Sequence, residues 1–537
     1  MRTTAILLGY ACALAFGTYH TFRPTFDSGF VRIQTERGDG MLNHLILENS
    51  WLALSDRNYR GTLATPPFYH PATGTLLYSE NLFGSAPIYW ALRFVTNHEL
   101  AYIWWQIICS ALNFVAFAFV GRWLRMPHAL ALAGAFLWAF AIVHADQIKH
   151  SQMIPRFFMP FAAYYAIQLV LEPSAKALNR MLGALFFQCL ACVYTGWFLG
   201  VGLAVYLPVL VVLRTGATRE LWRYVVEHKA RVAGVLVLWG LAMLALFGPY
   251  IVVNLGVSRT YEDCHGLFPT PAAWFSAPPG TRWHKTLDAI RYPEGFECLL
   301  FSGFAVYGLA LAASAHLPFF RREERSAMWP VAVAGMVTAF VWMVLTLTTS
   351  QTGESLWRVV RHIPGGGAIR VVTRVYVIVY LFGTIGALLW LTMVLERIKH
   401  PAVRAAILVP LLVVLVWEQT GFEQESFERV DFYPHVDRHA DTLRGAEVGY
   451  VVPRYVDQKG HNSLGPYGQV FAMWVGMRAN VPVLNGYSGR GPHDYPLPPS
   501  GELFEADIRS WLTGKFRGTV RHIDSELPGT SRDIKVD

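Results

Sequence analysis

Long apolar runs alternate with short polar connections along most of this chain, and the pattern changes after residue 418. Runs of about 17–25 mainly apolar residues are typical of helices that cross a bilayer. The predicted spans are 4–19, 98–121, 128–145, 154–172, 181–196, 197–213, 231–253, 299–317, 329–348, 371–394 and 403–418. The pattern therefore predicts a polytopic α-helical membrane protein with about 11 transmembrane helices.

The region 181–213 is the least regular part of this pattern. As one helix it is roughly 50 Å long, which is short for two full crossings of about 30 Å each. Thr195-Gly196 is either a tight turn between two short spans or the tip of a re-entrant hairpin. The charges of the flanking connections require an even number of crossings here.

Charged residues support this topology. The chain is 53% hydrophobic and only 15% charged, against about a quarter charged in a soluble domain. Its net charge of +8 comes from Lys and Arg in every second connection between spans, a pattern that sets orientation in a membrane and does not indicate nucleic-acid binding. We expect an inside N-terminus, with the connections that lack such clusters on the outer face.

Polar and irregular sequence concentrates on that outer face. It receives a first loop at 20–97, loops at 146–153, 254–297 and 349–370, and all residues after 419. The sequence therefore predicts a membrane domain over 1–418 and an outer domain over 419–537. In the outer domain Val448–Val452 reads as a strand, and the internal proline of 481–484 makes that segment an edge strand at best. A small α/β fold is expected there.

Two cysteines, Cys264 and Cys298, share one hydrophilic loop between the predicted spans 231–253 and 299–317. In an oxidising compartment they could form a disulfide, or both could remain thiols. The other cysteines lie in apolar runs and read as packing residues.

Asp39 is the first candidate for chemistry. It stands between two glycines directly after the first span, and a helix-like run with Glu48 follows it. Asp39 either caps that helix one residue before its start or faces a cavity at the membrane surface. Glu48 is the second carboxylate of this stretch and would need a turn plus a helix to reach Asp39.

Two further polar clusters lie on the outer side. Glu80 precedes an apolar run, so it is either a residue of a helix start or a ligand-binding group. His150 and Gln152 lie between two closely spaced spans. They are either part of a solvated connector or near the loop that contains Asp39.

Arginines on the outer side oppose the usual orientation bias. Arg358, Arg361, Arg370 and Arg374 surround a Pro-Gly-Gly-Gly turn at 364–367. An anionic phosphate at the membrane surface would explain them, whereas snorkelling to the interface is the structural alternative. Arg374 lies just inside a predicted span, where an ionisable group indicates function.

Taken together, these elements resemble the GT-C superfamily of integral membrane glycosyltransferases, and more closely a group of bacterial membrane proteins within it. The matching motifs follow the order of the family and cover most of the chain: Gly38-Asp39-Gly40-Met41-Leu42-Asn43 with Trp51, Tyr78-Ser79-Glu80-Asn81, His150-Ser151-Gln152, Glu294-Gly295-Phe296-Glu297, Ile369-Arg370-Val371 with Arg374, and Asn485-Gly486-Tyr487-Ser488-Gly489. Each motif is short, so the order carries the resemblance.

The resemblance implies an inverting transfer of a sugar from a polyprenyl-phosphate donor to a glycan, lipid or protein acceptor. Asp39 would be the base, and Arg370 and Arg374 would stabilise the leaving phosphate. The remaining substrate-binding residues would be Glu48, Glu80, His150, Gln152 and Tyr487. The implied location is the inner membrane of a bacterium, with several membrane passes, the N-terminus inside and the C-terminal domain outside.

The acidic motif differs from that of many relatives. They carry two closely spaced acidic residues, whereas this chain has Gly-Asp-Gly with one, so a divalent metal cofactor is an open question. Two other functions fit the same polar clusters. One is a transporter or flippase for a lipid-linked anion, although the chain has no internal repeat. The other is a non-catalytic membrane protein with a GT-C-like core.

Overall fold

The computed structural model describes residues 2–254, 259–288, 296–321, 323, 326–350, 352–421, 425–452, 455–456, 462–463, 465–496, 503–524 and 529–536. Glu294 and Gly295 of the sequence motif lie outside these residues. The α-helices in the first half are Arg2–Thr21 (α1), Arg23–Asp27 (α2), Asp39–Ser55 (α3), Ala86–Arg93 (α4), His98–Trp123 (α5), His128–Phe140 (α6), Ile142–Ala145 (α7), Phe158–Leu171 (α8), Ala175–Ala191 (α9), Val193–Leu213 (α10), Ala217–Glu227 (α11) and Lys229–Val253 (α12).

The α-helices in the second half are His284–Leu287 (α13), Phe304–His316 (α14), Trp329–Thr346 (α15), Trp357–Val360 (α16), Tyr376–Arg397 (α17), Pro401–Glu418 (α18), Tyr433–Leu443 (α19), Pro466–Ala479 (α20) and Glu505–Leu512 (α21). The strands are Arg32–Ile33 (β1), Phe427–Glu428 (β2), Val448–Val451 (β3), Tyr455–Val456 (β4), Asn462–Ser463 (β5), Gly518–Ile523 (β6) and Ser531–Val536 (β7).

A helical membrane bundle forms most of the chain, as expected. Within the described residues, eight helical stretches are long and apolar enough to cross a bilayer. A helix also occupies each remaining predicted span, namely α1, α9 and α14. α9 and α14 have only 17 and 13 residues, so the total of about 11 crossings stays a prediction.

The core of the bundle surrounds α17. This helix is apolar on all sides and is buried along most of its length against α15, α14, α6 and α10. Gly335 and Gly386 allow α15 and α17 to approach closely, because a Cβ at Gly335 would lie 2.6 Å from the Phe382 carbonyl oxygen. The bundle therefore has a tightly packed centre.

The break between α9 and α10 lies at Cys192, not at Thr195-Gly196 as expected. Cys192 is extended, with φ −161° and ψ 120°, and the two helices then pack against each other. The break is stabilised from outside: the Glu80 carboxylate accepts hydrogen bonds from the backbone N–H groups of Val193 at 2.5 Å and Tyr194 at 3.2 Å. The expectation was wrong because a distant residue caps α10.

The first loop and the C-terminal segment form one body at one end of the bundle, here called the α3 end. β1 pairs with β2 antiparallel, and α3 packs against α20. Trp474 donates a hydrogen bond to the Met41 carbonyl oxygen at 3.1 Å, and Tyr433 Oη lies 2.7 Å from His44 Nδ1. Residues of both segments share one hydrophobic core, so this core depends on both.

The C-terminal segment is a small α/β unit, as expected. β3 pairs parallel to β6, and β6 pairs antiparallel to β7. Val448–Val451 is the strand that the sequence predicts, and 481–484 contributes only an isolated parallel bridge between Val483 and Gly449. α19, α20 and α21 cover this sheet through contacts with β6, β3 and β7.

Cys264 and Cys298 do not form the disulfide that the sequence left open. The Cys264 thiol contacts the Ile369 carbonyl oxygen at 3.5 Å, and the Cys298 thiol contacts the Gly266 carbonyl oxygen at 3.6 Å. Both are buried, and each packs against a different part of the backbone.

Candidate active site at the α3 end

Asp39 is the first residue of α3, and its carboxylate contacts side chains outside that helix. Gly38 is the N-cap residue, and the first backbone N–H of the helix, that of Asp39, binds the Glu36 carboxylate and not the Asp39 side chain. A Cβ at Gly40 would lie 1.7 Å from Thr35 Oγ1, and one at Gly38 would lie 2.9 Å from Tyr467 Cε1. The two glycines therefore allow close packing on both sides of Asp39, and the alternative that Asp39 caps its own helix is wrong.

The Asp39 carboxylate is held by two side chains from distant parts of the chain. His150 Nδ1 lies 3.2 Å from Oδ2, and the Tyr487 hydroxyl donates a hydrogen bond to Oδ1 at 2.9 Å. Burial opposes ionisation of Asp39. Its pKa is nevertheless lowered, mainly by the hydrogen bond and the charge of His150. The charge of Arg374 and the hydrogen bond from Tyr487 lower it further. Asp39 is therefore ionised, and 28% of its side chain stays exposed.

Tyr487 is a fixed donor to this carboxylate. Burial, followed by the charge of Asp39 and the hydrogen bond between them, raises the pKa of Tyr487 well above its ordinary value. The hydroxyl thus keeps its proton. The Asn485-Gly486-Tyr487 turn is anchored because Asn485 exchanges hydrogen bonds with the Val451 backbone at 2.9 and 2.8 Å.

Glu36 supplies a second carboxylate that the sequence reading missed. Its Oε1 accepts a hydrogen bond from the Asp39 backbone N–H at 3.1 Å and lies 3.7 Å from His150 Nδ1. Burial raises the pKa of Glu36 to about 7, although the charge of His150 opposes this shift. The available signal was an acidic residue three positions before Asp39, which a motif centred on Gly-Asp-Gly leaves out.

His150 lies between three carboxylates. Its Nδ1 faces Asp39 and Glu36, and its Nε2 lies 3.0 Å from Glu297 Oε1. Burial alone would lower the pKa of His150, but the charge of Glu297 and the hydrogen bonds to Asp39 and Glu297 raise it to about 10. His150 is therefore an imidazolium that links the first loop to the loop before α14.

Glu297 connects His150 to Arg374. The Arg374 guanidinium donates a hydrogen bond to Glu297 Oε1 at 2.8 Å, and both side chains are nearly buried. Burial opposes ionisation of Glu297, but the charges of Arg374 and His150 lower its pKa below its usual range. Glu297 was part of a sequence motif without an assigned role, and its function as a bridge follows only from tertiary structure.

Arg374 lies in a 3-10 turn, Val372–Val375, directly before α17. Its guanidinium stacks over the Tyr194 ring with 4.9 Å to the ring centroid. The Tyr194 hydroxyl accepts a hydrogen bond from the Arg370 backbone N–H at 3.1 Å, while the Arg370 side chain is exposed. Tyr194 thus joins both arginines that the sequence indicated, and it was not foreseen.

Further arginines surround Arg370. Burial lowers the pKa of Arg259. The electrostatic effect of Tyr194 opposes this shift, and the like charge of Arg370 adds to it. Burial and the like charge of Arg259 lower the pKa of Arg490. Arg361 donates a hydrogen bond to the Arg259 carbonyl oxygen, and Arg358 pairs with Glu354. This side of the site therefore concentrates positive charge.

The remaining sequence candidates have mainly structural contacts. Glu80 caps α10, and Glu48 is buried in an ion pair with Arg93 at 2.8 Å and accepts a hydrogen bond from Tyr89 at 2.6 Å. Gln152 accepts a hydrogen bond from Asn43 at 2.5 Å, and Asn43 also donates to the Asp39 carbonyl oxygen at 2.7 Å. Gln152 thereby holds the first turn of α3 next to His150.

Glu36, Asp39 and His150 also form a donor set for a cation. Their ligand atoms all lie within 4.8 Å of one another. Carboxylate and imidazole ligands suit divalent metals such as Mn²⁺ and Zn²⁺. The set therefore fits a divalent ion by donor type and spacing, although the ion would have to displace the proton on His150.

The bundle and this site together define a helical membrane protein with a carboxylate and arginines at the α3 end. Among solved structures, the chain is similar to the apo Archaeoglobus fulgidus oligosaccharyltransferase, with a TM-score of 0.52 and 13% identity over 96% of this chain and 69% of the other. It is also similar to apo ArnT from Cupriavidus metallidurans, with a TM-score of 0.40 and 11% identity over 97% and 93%.

The likeness to the oligosaccharyltransferase extends over most of this chain, so the expected resemblance is confirmed at the level of the fold. No protein-family model and no curated protein sequence matches the chain. The fold is therefore shown by structure, and the activity has to be argued from the site.

Proposed function

We propose that this protein is a glycosyltransferase that moves a sugar from a polyprenyl-phosphate donor to an acceptor hydroxyl at the outer face of a bacterial inner membrane. One observation carries the proposal: an ionised, partly exposed carboxylate, Asp39, lies within electrostatic reach of Arg374 at the α3 end of the helical bundle. The donor's tail would remain in the bilayer while its phosphate reaches the arginines.

Asp39 acts as the general base in this proposal. Each of its oxygens accepts one hydrogen bond, and an ionised carboxylate can accept about four, so an acceptor hydroxyl can still bind. A carboxylate with a lowered pKa is a weak base toward a free hydroxyl. The proton becomes acidic as the acceptor oxygen bonds to the anomeric carbon, so Asp39 accepts it late in the transfer.

The arginines act on the leaving group. The bond between the anomeric carbon and the phosphate oxygen breaks, and the electron pair stays on the polyprenyl phosphate. Arg370 is exposed and can contact this phosphate directly, and Arg374 is fixed by Glu297 and Tyr194. A positive charge that is fixed in a largely buried site, as that of Arg374 is, stabilises charge that develops during bond breaking.

His150, Glu297, Tyr487 and Gln152 position Asp39 in this proposal, and Glu80 and Glu48 support the surrounding helices. A divalent ion, if bound, would be held by Glu36, Asp39 and His150 and would supply positive charge for the phosphate. The first loop 20–97 and the C-terminal domain 419–537 would enclose the acceptor, which is a glycan, a lipid or a protein.

The experiment uses full-length protein in membranes with a panel of synthetic short-chain polyprenyl-phosphate hexoses and pentoses. Mass spectrometry measures polyprenyl phosphate released in the presence of acceptor-containing envelope extract. Asp39→Asn should abolish release from the donor that the wild type uses. Asp27→Asn is the matched control, since Asp27 lies in the same loop on an exposed surface.

Undiminished release by the Asp39→Asn variant, with normal amounts of folded protein, would refute the role of Asp39. Movement of the lipid-linked sugar across proteoliposome membranes without any transfer would favour a flippase. If the wild type neither releases polyprenyl phosphate from any donor of the panel nor moves the lipid-linked sugar across the membrane, a non-catalytic protein would be favoured.

A further inference from the structure

A cavity lies at the opposite end of the bundle from Asp39. α5 starts at the α3 end, where the Tyr102 hydroxyl donates a hydrogen bond to the Gly40 carbonyl oxygen at 2.7 Å. The helix runs for 26 residues, or about 39 Å, to Trp123. Trp123, the last two turns of α8 and the first turns of α9 line an open cavity of about 320 Å³. Typical small-ligand pockets measure about 300–1,000 Å³.

Aromatic rings form one wall of this cavity. The Trp123 ring centroid lies 4.9 Å from that of Tyr164 and 6.5 Å from that of Tyr165. Tyr164 and Tyr165 are in contact with each other, with 5.2 Å between centroids. Such rings anchor helices at the headgroup level of a bilayer, and clustered ring faces also bind cationic ammonium groups.

Charged side chains of both signs line the same cavity. Lys176 and Arg180 project from the first turns of α9, and Glu172 follows α8. All three are exposed. Arg180 lies 5.3 Å above the Tyr165 ring and donates a hydrogen bond to the Tyr165 hydroxyl at 3.3 Å. The cavity thus offers two cations at the start of a helix, where anions are stabilised, and one anion beside the aromatic wall.

The adjoining helix α11 has the composition of a helix at headgroup depth. The Tyr224 hydroxyl of α11 accepts a hydrogen bond from the Ala175 backbone N–H at the start of α9, at 2.7 Å. On the other side of α11, Trp222 is 70% exposed and Val226 is 53% exposed, next to Arg219 and Arg223. An apolar face combined with basic residues is typical of a helix that lies in the membrane interface.

We propose that this cavity binds the headgroup of a zwitterionic aminophospholipid of the phosphatidylethanolamine type. The phosphate would contact Lys176 and Arg180, and the ammonium would contact Glu172 and the rings of Tyr164 and Tyr165. Basic pockets between transmembrane helices bind anionic headgroups. Glu172 in the wall distinguishes this pocket, because it favours a headgroup that carries a positive charge beside its phosphate. The site is separate from glycosyl transfer.

Native mass spectrometry of the delipidated full-length protein in detergent tests this proposal. A 1:1 mixture of phosphatidylethanolamine and phosphatidylglycerol is added, and the retained lipids are counted. We expect the wild type to retain one phosphatidylethanolamine in preference to phosphatidylglycerol. The double variant Lys176→Gln/Arg180→Gln should weaken this retention at least tenfold, and Glu172→Gln should shift the preference toward phosphatidylglycerol.

The double variant Arg219→Gln/Arg223→Gln is the matched control. It makes the same change of charge at the same membrane face with exposed residues outside the cavity, and it should bind like the wild type. Equal loss of phosphatidylethanolamine retention in both double variants would overturn the proposal, since it would indicate that the lipid binds through the general charge of the surface. The proposal would also be overturned if the wild type retained the two lipids equally, whatever the variants show.

Discussion

Glu297 offers the sharpest test of the buried charge network. Its carboxylate contacts Arg374 at 2.8 Å and lies 3.0 Å from His150 Nε2, and its side chain is 12% exposed. Glu297→Gln keeps the shape and removes the charge, so two buried cations then face each other without the anion between them. Removing one partner of a buried ion pair costs about 3–5 kcal/mol. We expect a loss of this size in the free energy of unfolding.

The assay is unfolding of the purified protein in mixed micelles with increasing mole fraction of dodecyl sulfate, followed by tryptophan fluorescence. Glu354→Gln is the control, because Glu354 forms the same kind of pair with Arg358 on the surface, with side-chain exposures of 72% and 50%. Exposed pairs contribute about 0–1 kcal/mol. The control should therefore unfold close to the wild type.

A double variant, Glu297→Gln/Arg374→Gln, separates pairing from packing. Because it removes the unpaired charge together with its partner, it should lose less stability than the two single variants added together, by up to about 3 kcal/mol. Additive losses would show that the two side chains do not interact. A Glu297→Gln variant no less stable than Glu354→Gln would refute the whole network.

Three more predictions follow from the site and its supports. Arg370→Gln should lower kcat/KM for the donor at least tenfold, measured by polyprenyl phosphate release. This loss is smaller than the roughly 100-fold that one fixed donor contributes in such sites, because the Arg370 side chain is exposed. Glu80→Leu should lower the free energy of unfolding by about 1–3 kcal/mol, because Val193 and Tyr194 lose a buried acceptor. Reductant should leave the mobility and thermal inactivation of the protein unchanged, because Cys264 and Cys298 are not joined.

Each of these has a direct control. Arg358→Gln, in the same loop, should have the kcat/KM of the wild type for the donor. An equal loss of kcat/KM in both arginine variants would contradict a specific contact between Arg370 and the phosphate. Glu80→Gln keeps one acceptor oxygen and should be less destabilised than Glu80→Leu; the reverse order would exclude capping. Maleimide should label Cys264 and Cys298 in the unfolded protein without prior reduction, and labelling that requires reductant would show a disulfide.

Periodicity and composition predicted the helices well, because the apolar residues that a helix needs in a bilayer are all contained in its own segment of the sequence. The span expected at 98–121 is α5, His98–Trp123, and that expected at 329–348 is α15, Trp329–Thr346. The boundary at Cys192 was misplaced because its cause is the Glu80 carboxylate, a residue 113 positions away from the Val193 N–H that it binds. A local pattern contains no information about such a contact.

The sequence indicated those residues of the candidate site whose type is unusual for their position in the chain. Arginines against the orientation bias led to Arg370 and Arg374, and a carboxylate after the first span led to Asp39. Glu36 and Glu297 gave no such signal, because acidic residues are ordinary in outer loops. Their importance arises from tertiary contacts with His150, at 3.7 and 3.0 Å, that only the folded chain creates.

The hydrogen bond from Tyr487 to Asp39 has a consequence for biosynthesis. The two residues are 448 positions apart, and a ribosome adding about 5–20 residues per second needs about 20–90 s to cover that distance. During this time the spans can insert while Asp39 still lacks one of its two hydrogen-bond partners. The complete site therefore forms only after Tyr487 has been synthesised, and a chain interrupted before that residue would enter the membrane without it.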